Sequence, residues 1–134
     1  MKTIFLFLML FSTACFGQTQ SDINTKATGE YQKSDKLLND IYQQIVKLYG
    51  SNSAFLRDLK GAQHLWVQLR DTQLKLKYPD REPGYYGSAH EMCRSIYLKE
   101  LTDSRIKELQ HWLEEPEEGD VCASTIGQYN SPNR

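Results

Sequence analysis

Residues 55–76, FLRDLKGAQHLWVQLRDTQLKL, decide the fold. Phe55, Leu59, Ala62, Trp66, Leu69, Gln73 and Leu76 recur in alternating steps of four and three, a heptad-like seam that a helix gathers on one face. A lone helix with one apolar stripe is marginal in water, so the seam calls for other helices to cover it. Tyr78-Pro79 halts the run, because the residue before a proline avoids helical dihedrals. Asp71 and Lys75 are spaced for an ion pair on the outer face.

The flanks supply the partners. Upstream, from about Thr28, Tyr31, Leu38, Ile41, Tyr42, Ile45, Leu48 and Tyr49 recur at threes and fours. Gly50, Ser51, Asn52 and Ser53 end that helix and offer N-caps for the next. Downstream, Asp80 to Gly87 is a loop by its prolines and glycines. Ser88-x-x-Glu91 has the spacing of a capping box and opens a third helix. Met92, Cys93, Ile96, Tyr97, Leu101, Ile106, Leu109 and Leu113 populate it, with a bend expected near Thr102 and an end at Pro116. The expected fold class is all-α: an elongated antiparallel three-helix bundle over residues 27–114. Residues 18–26 read as polar and loose. Residues 115–134 read as a flexible acidic and polar tail, disordered apart from its cysteine.

The start of the chain reads as a leader and not as fold. Lys2 precedes an apolar run, Ile4 to Phe11, and small residues follow to Gly17. That is the layout of a secretory signal peptide over residues 1–17, too short for a permanent span. The rival is a lipoprotein signal ending at Cys15, weakened by Ser12 where an aliphatic residue is usual. Either reading sends the chain out of the cytoplasm, to the periplasm or the medium, or to a membrane through a lipid on Cys15.

Charge narrows the partners. The formal net charge is -1, and loss of residues 1–17 removes Lys2 and no acid, leaving 15 basic against 17 acidic side chains. With no basic stripe, nucleic acid is not expected as a partner. No transmembrane segment follows the leader. Cleavage before Gln18 leaves two cysteines, Cys93 and Cys122. In an exported chain they read as a disulfide, worth about 3–4 kcal/mol for a loop of that length. The alternatives are two free thiols or a bridge to another chain.

Polar residues stand inside the helical stripes: Asp35-x-x-Leu38-Asn39-x-x-Tyr42 in the first helix, and Ala62-Gln63-x-x-Trp66-x-x-x-Arg70-Asp71 in the second. With Gly87-Ser88, then Cys93 and Leu101-Thr102-x-x-Arg105, they form a pattern that resembles the LprI-like family, the N-terminal domain of a lysozyme-inhibitor lipoprotein. The resemblance covers about Ala27 to Leu113. It implies an exported helical domain, in some relatives a lysozyme inhibitor, and it transfers no inhibitory residues. One departure stands out. Relatives commonly carry a cysteine shortly after the Arg-Asp pair, bonded to the one in the last helix; here that position is Leu74. The resemblance therefore leaves Cys93 without its usual partner and Cys122 as the substitute.

Two clusters are candidates for function. Asp35, Asn39, Gln63 and Arg70 form either a binding patch or, as their place beside the core stripes favours, an interhelical polar network with Arg70 stacked on Trp66. The loop from Tyr78 to Gly87 is the candidate protein-binding site, with Arg81, Tyr85 and Tyr86, because arginine and tyrosine are favoured interface anchors. The competing reading folds Tyr85 and Tyr86 back over the end of the bundle. His64, His90 and His111 are too scattered for a metal site, and His90-x-x-Cys93 lacks a second ligand pair. Ser88 has no His–acid partner, and no carboxylate pair is placed for acid–base work. The expectation is a non-enzymatic domain with no cofactor, acting by protein contact: a lysozyme inhibitor, or an envelope interaction module with another partner. The acidic residues Glu114, Glu115, Glu117, Glu118 and Asp120 would steer a basic partner.

Overall fold

A computed structural model describes residues 16–128, in the order α1 (Phe16–Leu48), α2 (Ser53–Lys77), α3 (His90–Gln110) and a short 3-10 turn, His111–Leu113. At 1.5 Å per residue the three helices are about 50, 37 and 31 Å long. The expected leader lies outside the described residues except for Phe16 and Gly17, which begin α1, and Cys15 lies outside them too. The helix thus starts about a dozen residues before Thr28, through a segment expected to be loose. Gln20 and Asn24 bond one turn apart at 2.9 Å, and the Asn24 amide donates to the Ser88 carbonyl at 2.9 Å, tying this turn to the foot of α3.

The connections reverse the chain twice. Asn52 caps α2, its side-chain oxygen accepting from the Phe55 N–H at 3.0 Å. α2 therefore runs antiparallel to its neighbours, and α1 and α3 run parallel: Thr28 meets Ser95 at 3.1 Å, and Tyr49 meets Trp112. These two helices pack most closely, across a seam of small polar residues, Ser34, Ser95 and Thr102, all buried. Burial raises the Asp103 carboxyl, but hydrogen bonds from Lys99 and Ser34 outweigh it and hold its pKa below the ordinary value.

The apolar core fills the end away from the α2–α3 loop. Leu38, Ile41, Ile45 and Tyr49 of α1 meet Leu59 of α2 and Ile106 and Leu109 of α3. Tyr49 stacks on Phe55 at 4.1 Å, and Trp112 meets both rings edge-on. α3 runs unbroken through Thr102, which is buried. Its N-cap is Ala89 with no side-chain bond, so Ser88 and Glu91 do not form a capping box; the Ser88 carbonyl accepts from Asn24.

The segment after Pro116 folds back as far as it is described. Ala123 is buried, and the Tyr49 hydroxyl lies 3.1 Å from the Trp112 carbonyl and 3.3 Å from that of Thr125 while accepting from the Gly127 N–H at 3.2 Å. This docking overturns the expected disulfide. Cys93 sits in the first turn of α3, and Cys122 belongs to the segment held at the other end, beside Trp112. Nineteen helical residues separate Cys93 from Trp112, about 28 Å of rise, and three residues of chain cannot close that gap to disulfide distance. Both cysteines are free thiols, Cys93 half-buried and Cys122 exposed.

The register of α2 against α3 is fixed by Gln63 opposite Arg105 and Tyr78 opposite His90, which brings Leu74 within one residue of the level of Cys93. Replacing Leu74 with cysteine is expected to create an intramolecular disulfide to Cys93 under oxidising conditions, stabilising by about 3 kcal/mol on the chain-entropy model. Thiol titration checks it: Cys93 should become unreactive and the midpoint of unfolding should rise. An oxidised variant in which Cys93 still reacts would contradict the register.

Candidate protein-binding site

α2 uses only part of the seam that its sequence advertises, the part that holds Phe55, Leu59 and Trp66. Ala62, Leu69 and Leu76 are exposed, Leu76 at 82 %, and the row Leu59, Gln63, Trp66, Arg70 turns inward. The physical reason lies in the polar members of that row, which find partners on both other helices. Arg70, with only 14 % of its side chain exposed, reaches Asp35 of α1 at 3.3 Å and Asp71 at 3.0 Å. Its guanidinium lies 5.3 Å from the centre of the Trp66 ring. From α3, the buried Arg105 donates through Nε to Gln63 at 3.1 Å, pairs with Glu108 at 2.8 Å, and places its guanidinium 5.9 Å from the same indole. Trp66 is thus the meeting point of two arginines from two helices. Tyr31 borders this cluster; burial raises its phenol pKa, Asp35 and Asp71 add to the rise, and Arg70 opposes it.

Asp35, Gln63 and Arg70 are therefore brought together as an interhelical network, which Asn39 touches only through Asp35 of its own helix, at 3.5 Å from the carboxylate. Asn39 is exposed and bonds back to the Asp35 carbonyl of its own helix at 3.0 Å. Tyr42 packs against the apolar core. Asp71 is taken by Arg70, so the expected Asp71–Lys75 pair is absent. His64 pairs with Gln68 and His111 with Glu114, far from His90.

The α2–α3 loop forms the second cluster. The Tyr78 N–H closes α2 on the Leu74 carbonyl at 2.8 Å. Two tight turns follow, with Tyr85 N–H on the Glu82 carbonyl at 3.1 Å and Gly87 N–H on that of Gly84 at 3.0 Å. Gly84 and Gly87 take positive φ values of 86° and 74°, which side chains rarely adopt. The turns send the two tyrosines different ways. Tyr86 folds inward, stacked on His90 at 4.3 Å with its hydroxyl donating to the Pro79 carbonyl at 2.7 Å. Tyr78 closes the layer against Tyr86, His90 and Tyr97, and the Lys77 ammonium sits 3.9 Å from the Tyr97 ring centre. Tyr85 stands on top, 64 % exposed, edge-on to Tyr86 at 4.9 Å and with the Arg81 guanidinium 5.5 Å from its ring. Each of the two readings of the loop thus describes one tyrosine. Beneath them lies an open cavity of about 210 Å³ whose walls include Tyr78, Arg81, Tyr86, His90 and Arg94.

Arg94 stands outside the residues that the sequence pattern singles out, and Tyr78 enters it as a helix stop and the first residue of the loop. A signal was present: His90, Arg94 and Tyr97 are spaced four and three apart, one face of α3 directed at the loop.

The family model described as Lysozyme inhibitor LprI matches residues 13–109. The chain belongs to the LprI family. No curated protein and no solved structure matches it. Among the described residues no helix is long and apolar enough to cross a membrane. The Asp35, Gln63, Trp66, Arg70 and Arg105 pattern falls within the matched span and coincides with the interhelical network.

Arg70→Ala is expected to lower stability by about 1–2 kcal/mol, through lost packing on Trp66 and a half-exposed ion pair that solvent screens. Asp35→Asn should cost less, under about 1 kcal/mol. Denaturant midpoints check both, and an unchanged midpoint for Arg70→Ala would contradict the network.

Proposed function

We propose that this LprI-family domain is exported and binds a protein through the exposed Arg81–Tyr85 edge of the α2–α3 loop, inhibiting lysozyme by entering its cleft. The family supports the partner, and the loop supports the mode. A lysozyme cleft carries two catalytic carboxylates between sugar-binding walls. Arg81 offers a planar cation for a carboxylate, and Tyr85 offers a ring for a sugar-binding wall.

The observation that carries this reading is the division of labour between the tyrosines. Tyr86, locked between His90 and the Pro79 carbonyl, is a floor that holds Tyr85 and Arg81 outward. A preorganised loop loses little freedom on binding, so more of its contact energy appears as affinity. The acidic run Glu114, Glu115, Glu117, Glu118 and Asp120 is exposed and would speed encounter with a basic lysozyme at low salt.

A second reading is an envelope interaction module with no effect on lysozyme. It is favoured by the exposed Leu65, Leu69 and Leu76 on α2, an apolar row that a protein partner would cover. In both readings the domain acts by contact and not by catalysis.

The test is a lysozyme activity assay with residues 18–134, titrated against chicken-type and goose-type enzymes. Stoichiometric inhibition is expected. Arg81→Ala combined with Tyr85→Ala should abolish it without moving the melting midpoint, whereas Tyr86→Ala should lower the midpoint. No inhibition of either enzyme at micromolar concentration would sink the lysozyme reading and leave the α2 face as the surface to pursue.

A further inference from the structure

We propose that the cavity under the α2–α3 loop is a carboxylate pocket that receives one acidic side chain of a protein partner, with Arg94 as its anchor. This deepens the loop reading above and rests on it for the choice of a protein as partner.

Size limits the occupant. The cavity holds about 210 Å³, below the roughly 300–1,000 Å³ of small-molecule sites. That is room for a single side chain, not for a cofactor or an oligosaccharide.

Unused donors define its chemistry. Arg94 is half-buried and lines the cavity, yet makes no ion pair or side-chain hydrogen bond among the described residues. A partly buried guanidinium normally has an acid or carbonyl to hold it. His90 lines the same cavity, and its Nδ1 is buried with no hydrogen-bond partner. Its ring, stacked on Tyr86, is wall and not donor. Arg81, on the rim, has only the face of Tyr85. The loop's own acids do not answer these groups: Asp80 and Glu82 border the cavity and pair with neither arginine.

The remaining walls add no competing acceptor. The Tyr86 hydroxyl is already spent on the Pro79 carbonyl, so Tyr86 presents its ring. Two guanidinium groups around a space walled by aromatic rings suit a planar, acceptor-rich group on a short apolar stem. A glutamate or aspartate side chain has that form. Its carboxylate would take the Arg94 fork while its methylene groups lie against Tyr78 and Tyr86.

The experiment uses the whole chain labelled with ¹⁵N, titrated with N-acetylglutamate methylamide and, separately, with the neutral isostere N-acetylglutamine methylamide. The expected result is a saturable shift of amide signals in residues 78–94 and of the His90 imidazole with the acid and not with the amide. Arg94→Gln should weaken that binding about tenfold or more while leaving signals elsewhere in place. Should Arg94→Gln fail to fold, the exposed Arg81→Gln serves the same purpose. Equal shifts with both compounds, no saturable shift, or wild-type binding by a folded variant would overturn the pocket. Failure of the lysozyme reading is separate: acid-specific binding without lysozyme inhibition keeps the pocket and dismisses that partner. Inhibition undiminished by Arg94→Gln, with no acid-specific shift, dismisses the pocket and keeps the partner.

Discussion

One side chain joins the three helices: Trp66, with an arginine at hand from α2 itself and another from α3. α1 and α3 need little help to meet, because Ser34, Ser95 and Thr102 let their backbones approach closely. α2 has no such small-residue seam. It contributes one buried leucine, Leu59, with Phe55 and Leu56 packed at its start, and is otherwise held by Trp66, by Arg70 reaching Asp35, and by Gln63 receiving Arg105. Long arginine side chains cover an aromatic face with their stems and satisfy their charge at their tips. A polar anchor of this kind fixes both the roll and the register of α2, which a uniform apolar stripe would leave free to slip.

The register then sets the loop. Once Gln63 faces Arg105, α2 delivers Tyr78 opposite His90 and Lys77 over Tyr97. The loop closes on this aromatic layer through Tyr86 and the Pro79 carbonyl, so its outward residues are presented by a packed base. The Arg81–Tyr85 edge and the network around Trp66 are thus linked through one helix. The opposite end of the bundle is sealed by Tyr49, Phe55 and Trp112, with the C-terminal segment laid across them.

Much of this was legible from residues. The three- and four-residue spacing of Leu38, Ile41, Ile45 and Tyr49 gave α1 and its buried face, and Asn52 gave the start of α2. The polar residues in the stripes marked the network, since buried polar groups recur where they can be satisfied. Two of the misreadings share a cause: the local signal was overridden by a distant contact. The seam from Phe55 to Leu76 shares Leu59 and Trp66 with the buried face, but Ala62, Leu69 and Leu76 roll outward because Asp35 and Arg105 draw Arg70 and Gln63 inward. Ser88 spells a cap, yet α3 starts one residue later, with Ala89 as its N-cap. The even cysteine count ignored that the tail docks on Tyr49, at the far end from Cys93. Arg94 was invisible because an unpaired arginine is recognisable only once its surroundings are known.

Under the proposed function the loop end of the bundle, and not the leucine face of α2, meets the partner. Amide hydrogen exchange of the domain alone and mixed with lysozyme tests it directly. The account expects slowed exchange in the segment from Tyr78 to Arg94 on complex formation, with the Leu65 to Leu76 stretch unchanged. Protection gained along Leu65 to Leu76, with the loop unaffected, would contradict it.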